Sequence, residues 1–260
     1  MQQKTPMTQV EHSLRTLAVD IGGSGIKVMV LDSKGNPLTE RARLDTPEPA
    51  TPASVLAVIN QLLPSHGDFD RVSVGFPGVI RAGVVYTAVN LHPDWVGFDL
   101  TTTLGTQLGR PVRVINDADM QGLGVISGQG VELVMTLGTG VGSGLFVDGQ
   151  LVPNLELGHH PFRRGQTYEE QLGREALNDI GKERWNRRLQ KAIGLLQNLF
   201  NYDRLYIGGG NTKKITLDLP PDVTIVPNIA GLLGGIALWR DQPSSPVPET
   251  GAPKQQPSDH

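Results

Sequence analysis

Twice in this chain, two apolar strands are joined by a glycine-rich turn and followed at once by a second tight turn. The first copy is "LAVDIGGSGIKVMVLDSKGNPL" from Leu17, and the second is "LVMTLGTGVGSGLFVDGQLV" from Leu133. After Gly25 the run Ile26-Lys27-Val28-Met29-Val30-Leu31 is apolar and β-branched, and Asp32-Ser33-Lys34-Gly35-Asn36 supplies a turn. The glycines therefore lead into a strand rather than a helix. That excludes the dinucleotide-binding fingerprint, whose glycines must open a helix that receives the pyrophosphate. Two copies of one hairpin predict two related halves that face each other.

A turn without side chains lets backbone N–H groups approach phosphate oxygens, and two such turns on facing halves can grip a phosphate chain from both sides. Asp20, before the first turn, can hold magnesium through water. Thr136, in the matching place of the second copy, adds no competing charge. A third glycine run, "LYIGGGNTKK" from Leu205, follows another short apolar strand, and its Gly209 and Gly210 are placed to wall off the far end of a phosphate donor.

With 260 residues, 38% hydrophobic and 19% charged, the chain can bury one large or two moderate cores. A net charge of -3 gives no footprint for nucleic acid, and no segment is apolar enough to read as a membrane span. The absence of cysteine removes disulfides and thiolate zinc sites and fits a reducing cytoplasm. The first residues lack the apolar core of a signal peptide, and "DQPSSPVPETGAPKQQPSDH" reads as a disordered tail. The expected layout is a flexible 1–13, halves at 14–116 and 117–240 with the last helix packing back on the first half, and a disordered 241–260.

Between the hairpins, a strand at Val72–Val74 ends in Gly75-Phe76-Pro77-Gly78, and Asn90 follows the next strand. Exposed backbone groups near Gly78, with Asn90, suit a polyhydroxylated ligand, whereas Asn90 taken by itself reads as a turn residue. In "PVRVINDADMQGLG" the strand Val112–Ile115 gives way at Asn116-Asp117 to helical character. Asp117 is then either a helix N-cap or a general base at a strand tip, where open α/β sheets place their ligands. In "NLELGHHPFRRGQTYEEQLG", Glu156, His159 and Glu169 suit either sugar hydroxyls or a metal.

The ordered set "VDIGGSGIK", "VGFPGVI", "AVNLHPDW", "VINDAD", "TLGTGVGSGLF", "ELGHH", "IGGGNTKK" and "VPNIAGLLGGIALW" resembles the ROK family of sugar kinases, most closely its polyphosphate glucokinase branch. The resemblance implies an α/β, actin-like (ribonuclease H-like) two-domain fold with a central cleft, and a homodimer. It implies that Asp117 is the base for the glucose 6-hydroxyl. Gly78, Asn90, Asn116, Glu156, His159 and Glu169, with Glu170 adjacent, would be the sugar side. Gly22, Gly23, Ser24, Gly25 and Lys27, with Gly138, Thr139 and Gly140, would be the phosphate side, and Asp20 the magnesium side. The family's cysteine-rich zinc motif is replaced here by "FRRGQTYEEQ", so zinc is not expected. Only 16 residues precede Leu17, too few for the helix-turn-helix of the family's repressors. The expected activity is phosphorylation of glucose at the 6-hydroxyl with inorganic polyphosphate as donor, giving glucose 6-phosphate. An ATP-dependent glucokinase and a non-catalytic sugar-binding regulator on the same fold stand as alternatives.

One feature speaks to the donor. Pro161 to Lys214 carries 11 basic against 6 acidic residues, and "KERWNRRLQKAIGLLQNLF" has helical period. Trp185, Leu189, Ala192, Ile193, Leu196, Leu199 and Phe200 form its apolar face. Arg184, Arg187, Arg188 and Lys191 fall at i, i+3, i+4 and i+7, in one stripe. Such a stripe is either a solvated edge or a track for inorganic polyphosphate, which carries charge on every unit.

Overall fold

A computed structural model describes residues 13–88, 91–227 and 229–240. The sequence expectations for residues 1–12, Asn90 and 241–260 lie outside the described residues.

Both glycine hairpins form, and each begins a sheet of the same order. In the first, β1 (Thr16–Gly22) pairs antiparallel with β2 (Gly25–Leu31), and β3 (Ala42–Leu44) extends the meander. The helix α1 (Pro52–Leu62), capped by the Thr51 side chain with proline at its first position, carries the chain to β4 (Arg71–Phe76), parallel to β1. A small ribbon of β5 (Ile80–Arg81) and β6 (Val84–Val85) precedes α2 (Leu100–Leu108), which Asp99 caps. β7 (Val112–Asn116) then closes the order β3-β2-β1-β4-β7.

After α3 (Asp117–Leu123), the pattern repeats with β8 (Val131–Leu137), β9 (Val141–Val147) and β10 (Gln150–Val152). A ribbon of β11 (Pro161–Arg163) and β12 (Gln166–Thr167) leads to α4 (Tyr168–Leu172) and α5 (Arg174–Phe200). β13 (Arg204–Gly208) and β14 (Val223–Ile225) add in parallel, giving β10-β9-β8-β13-β14. Parallel strands joined through helices bring their ends to one edge of each sheet.

The two first strands are apolar on both faces because both faces are covered. Leu17, Val19 and Ile21 point to the core shared with α1 and α2, while Ala18 meets Leu232 and Ile236 on the other side. β8 does the same: Leu133, Met135 and Leu137 pack with α5, and Val134 packs with Phe146 and Tyr206. The chain's last helix, α6 (Ala230–Leu233), and the 3-10 turn Gly234–Trp239 return to the first sheet. There Ser73 Oγ donates to Gly235 O at 2.7 Å and accepts from Trp239 Nε1 at 2.8 Å.

The basic helix is longer than its periodicity predicts, starting at Arg174, and it is broken at Gly181 (φ 75°). Trp185, Leu189, Ala192, Ile193 and Leu196 are buried as expected. Leu199 is not: it is 59% exposed. It sits at the margin of the apolar stripe in the last turn, before Asn201 ends the helix in left-handed conformation. No described helix is long and apolar enough to cross a membrane.

Candidate active site

The turns of the two hairpins and the ends of the parallel strands open onto one cleft of about 370 Å³. The first hairpin lends it Asp20, Gly22, Gly23, Ser24 and Lys27; the second lends Thr136 and the Gly138-Thr139-Gly140 turn; Gly209 and Gly210 follow β13 into it. Gly78, Asn116, Asp117, Glu156, His159 and Glu169 complete the wall. Gly25 is not part of it. It is buried, and a Cβ there would meet the Arg43 guanidinium at 2.5 Å, so this glycine makes room for Arg43 rather than for a ligand.

Gly209 shows why the turns require glycine. Its φ of +92° suits no other residue, and a Cβ would stand 2.3 Å from the Leu137 carbonyl. Gly138 has nothing within 4 Å of its missing side chain, which leaves its backbone open to the cleft.

The junction of β7 and α3 separates two roles that the sequence left open for one residue. Asn116, not Asp117, is the N-cap: its Oδ1 accepts from the amides of Ala118 (2.8 Å) and Asp119 (3.1 Å), and its Nδ2 donates to Gly78 O (3.2 Å). Asp117 lines the cleft, accepting from the Ala118 amide at 2.8 Å. Burial, then the charge of Asp20, pushes its carboxyl up to about 8, with Glu156 and Asp119 adding to the rise against the Ala118 hydrogen bond. Asp119, which the sequence reading did not single out, is 2% exposed and pushed up to about 7 by burial and by Glu156.

Within the first hairpin, Lys27 Nζ stands 2.6 Å from Asp20 Oδ2. Among the described residues no group of three or more histidine and carboxylate side chains is arranged to hold a metal by itself. Asp20 lines the cleft, and a single carboxylate there suits magnesium, which keeps several waters and is usually held by one or two carboxylates plus donor oxygens.

In the same cleft His159 Nε2 lies 3.4 Å from Glu156 Oε2, and that contact raises the histidine pKa, assisted by Glu169. Of the adjacent acids, Glu169 faces the cleft and accepts from the Val141 amide at 3.0 Å. Glu170 forms a reciprocal capping box with Thr167 at the start of α4.

The ROK family model matches residues 16–169. The chain belongs to the ROK family. A polyphosphate glucokinase of Mycobacterium tuberculosis is 33% identical over 233 residues, covering 83% of this chain and 88% of the relative. The crystal structure of an inorganic polyphosphate/ATP-glucomannokinase from Arthrobacter sp. strain KM is 37% identical, covers 87% of this chain and 100% of its own, and superposes with a TM-score of 0.78. A ROK family glucokinase from Streptomyces griseus, solved with glucose and AMPPNP, shares the fold at 21% identity and a TM-score of 0.73, covering 86% of this chain and 98% of its own. The two-sheet architecture is thus the actin-like α/β fold of ROK sugar kinases.

This ROK chain carries a second cavity, of about 400 Å³, beside α5. Arg184, Arg187, Arg188 and Lys191 line it as the helical spacing predicts, joined by Arg163 and Arg164 from the β11–β12 ribbon. Burial, then the charges of Arg163, Arg164 and Arg184, holds the Arg188 pKa below its usual value. None of the six is in an ion pair among the described residues. Arg188 also donates to Gln171 O at 3.4 Å, so α4 touches this pocket through Gln171 and the cleft through Glu169. Sequence reasoning missed Arg43 and Arg174, both in the cleft wall. A cation just after the "QLG" that ends α4 is a usable signal for Arg174, whereas Arg43, on a three-residue edge strand, carries none.

Proposed function

We propose that this protein transfers the terminal phosphoryl group of inorganic polyphosphate to the 6-hydroxyl of glucose. The observation that carries the reading is Asp117, a carboxylate of raised pKa between the glycine turns and the Glu156–His159 wall. Asp117 takes the proton of the sugar hydroxyl as its oxygen attacks phosphorus in line, the bridging P–O bond breaks, and a polyphosphate shorter by one unit leaves. A base is most effective when its pKa lies near the working pH, and burial in the cleft supplies that match. Asn116, Glu156, His159 and Glu169 orient the sugar, and the three glycine turns with Lys27 hold the donor chain by backbone and ammonium donors. Asp20 would hold magnesium together with the donor, and the ion would supply charge neutralisation at the phosphoryl oxygens.

The relatives' names support a glucose acceptor and both donors. The unpaired cations beside α5 favour polyphosphate, whose charge extends beyond what the cleft itself can neutralise. The test is formation of glucose 6-phosphate with polyphosphates of graded length or with ATP. Efficiency that grows with chain length and falls with salt is expected. A clear preference for ATP would replace this donor by the nucleotide, and no product with either would leave sugar binding alone.

A further inference from the structure

A carboxamide outside the cleft lining ties a segment of the second half to one of the first on the acceptor side. Asn154, between β10 and the Glu156 segment, has φ +63°. Its Oδ1 accepts from the Ile80 amide at 3.1 Å, and its own amide donates to Asp119 Oδ2 at 3.4 Å. Ile80 follows the Gly78 turn, whose carbonyl accepts from Asn116. On the other side of Asn154, the buried Ser143 hydroxyl donates to Leu155 O (2.6 Å) and accepts from the Leu157 amide (3.1 Å), which brackets Glu156. Ser143 thus fixes Glu156 on the second sheet, and Asn154 fixes that segment against the first.

The position asks for a residue that tolerates left-handed backbone and carries an acceptor one carbon from Cβ. Asparagine and aspartate do both, and glycine only the first. We infer that Asn154 is a positioning residue that ties the Gly78 turn to the Glu156–His159 segment, so that both sugar-facing walls are set as one unit and acceptor affinity depends on it. The inference rests on the proposed reading that these walls hold the sugar.

The test compares Asn154→Gly and Asn154→Asp in the full chain, reading KM for glucose, KM for polyphosphate and hydrogen exchange at the Ile80 amide. In Asn154→Gly, Ile80 exchange and the glucose KM should each rise on the order of tenfold, while the polyphosphate KM stays within about twofold. Asn154→Asp should recover both. A merely structural role would move both KM values together or neither, and either result overturns the proposal, as does failure of the aspartate to recover. The unsubstituted protein offers the same test should the glycine variant not fold: by linkage glucose should slow Ile80 exchange and polyphosphate alone should not, and an equal response to both overturns it. Glu156→Gln separates the two readings. An unchanged glucose KM there refutes the sugar-side reading itself, whereas a raised one beside a normal Asn154→Gly refutes only the role of Asn154.

Discussion

Replacing Asp117 by asparagine should make this protein both inactive and more stable. Asparagine keeps the shape and the hydrogen bond from the Ala118 amide but has no basicity, and general base catalysis typically contributes ~10²–10⁴-fold. Turnover should fall by that factor while glucose still binds. The stability effect follows from the carboxyl's displacement from its ordinary 3.8 to about 8. Above pH 4 the unfolded chain has released a proton that native Asp117 still holds. The native state therefore binds more protons, and its stability falls as pH rises from about 4 to about 8. At 1.36 kcal/mol per pH unit the ceiling is roughly 6 kcal/mol, and the carboxyl's partial exposure to the cleft reduces this to about 2 kcal/mol. For a chain of this size that is a gain of roughly 4–8 °C in melting temperature. The assay is thermal unfolding of both proteins without magnesium from pH 4.5 to 8. The asparagine variant should gain most at the alkaline end and converge with the wild type near pH 4.5. A variant less stable at pH 7.5, or an advantage that grows toward acid, would refute the reasoning, as would near-normal turnover.

Three other substitutions probe separate links. Converting Arg187 and Arg188 together to alanine should raise the KM for long polyphosphate by roughly 2–30-fold and for short chains much less, read from the length dependence of glucose phosphorylation. Glu132 is fully buried, and hydrogen bonds from the amides of Ser127 and Gly128 and from the Tyr206 hydroxyl outweigh that burial and hold its pKa below the usual value. Glu132→Gln should therefore cost about 1–3 kcal/mol at neutral pH by denaturant unfolding. Because the folded pKa is depressed, that gap should close as pH falls below about 4. Gly209→Ala forces a side chain onto the Leu137 carbonyl at a φ of +92°, so about 1–3 kcal/mol of stability and most donor binding should go, with glucose binding retained in titrations.

The amino-acid sequence by itself determined what depends on neighbours along the chain. Both hairpins follow from continuous apolar runs around glycine turns, and the cationic stripe follows from helical spacing. These signals are local, because a strand's period and a turn's backbone angles are set within a few residues. Asn116 and Asp117 show where that reach ends: both residue types can cap a helix, and only the backbone at β7–α3 assigns the cap to one and the cleft to the other. Glu169 and Glu170 part in the same way, by which of them the α4 capping box takes up. Contacts between distant segments were beyond the sequence altogether. The meeting of Arg163 and Arg164 with α5, the bridge from Ile80 to Asn154, and the pressure of Asp20 and Glu156 on the Asp117 carboxyl join residues tens of positions apart. Such pairs leave no period to read. They exist because two sheets, each covered on both faces, turn their strand ends toward a common cleft, where burial and proximity give ordinary side chains their chemistry.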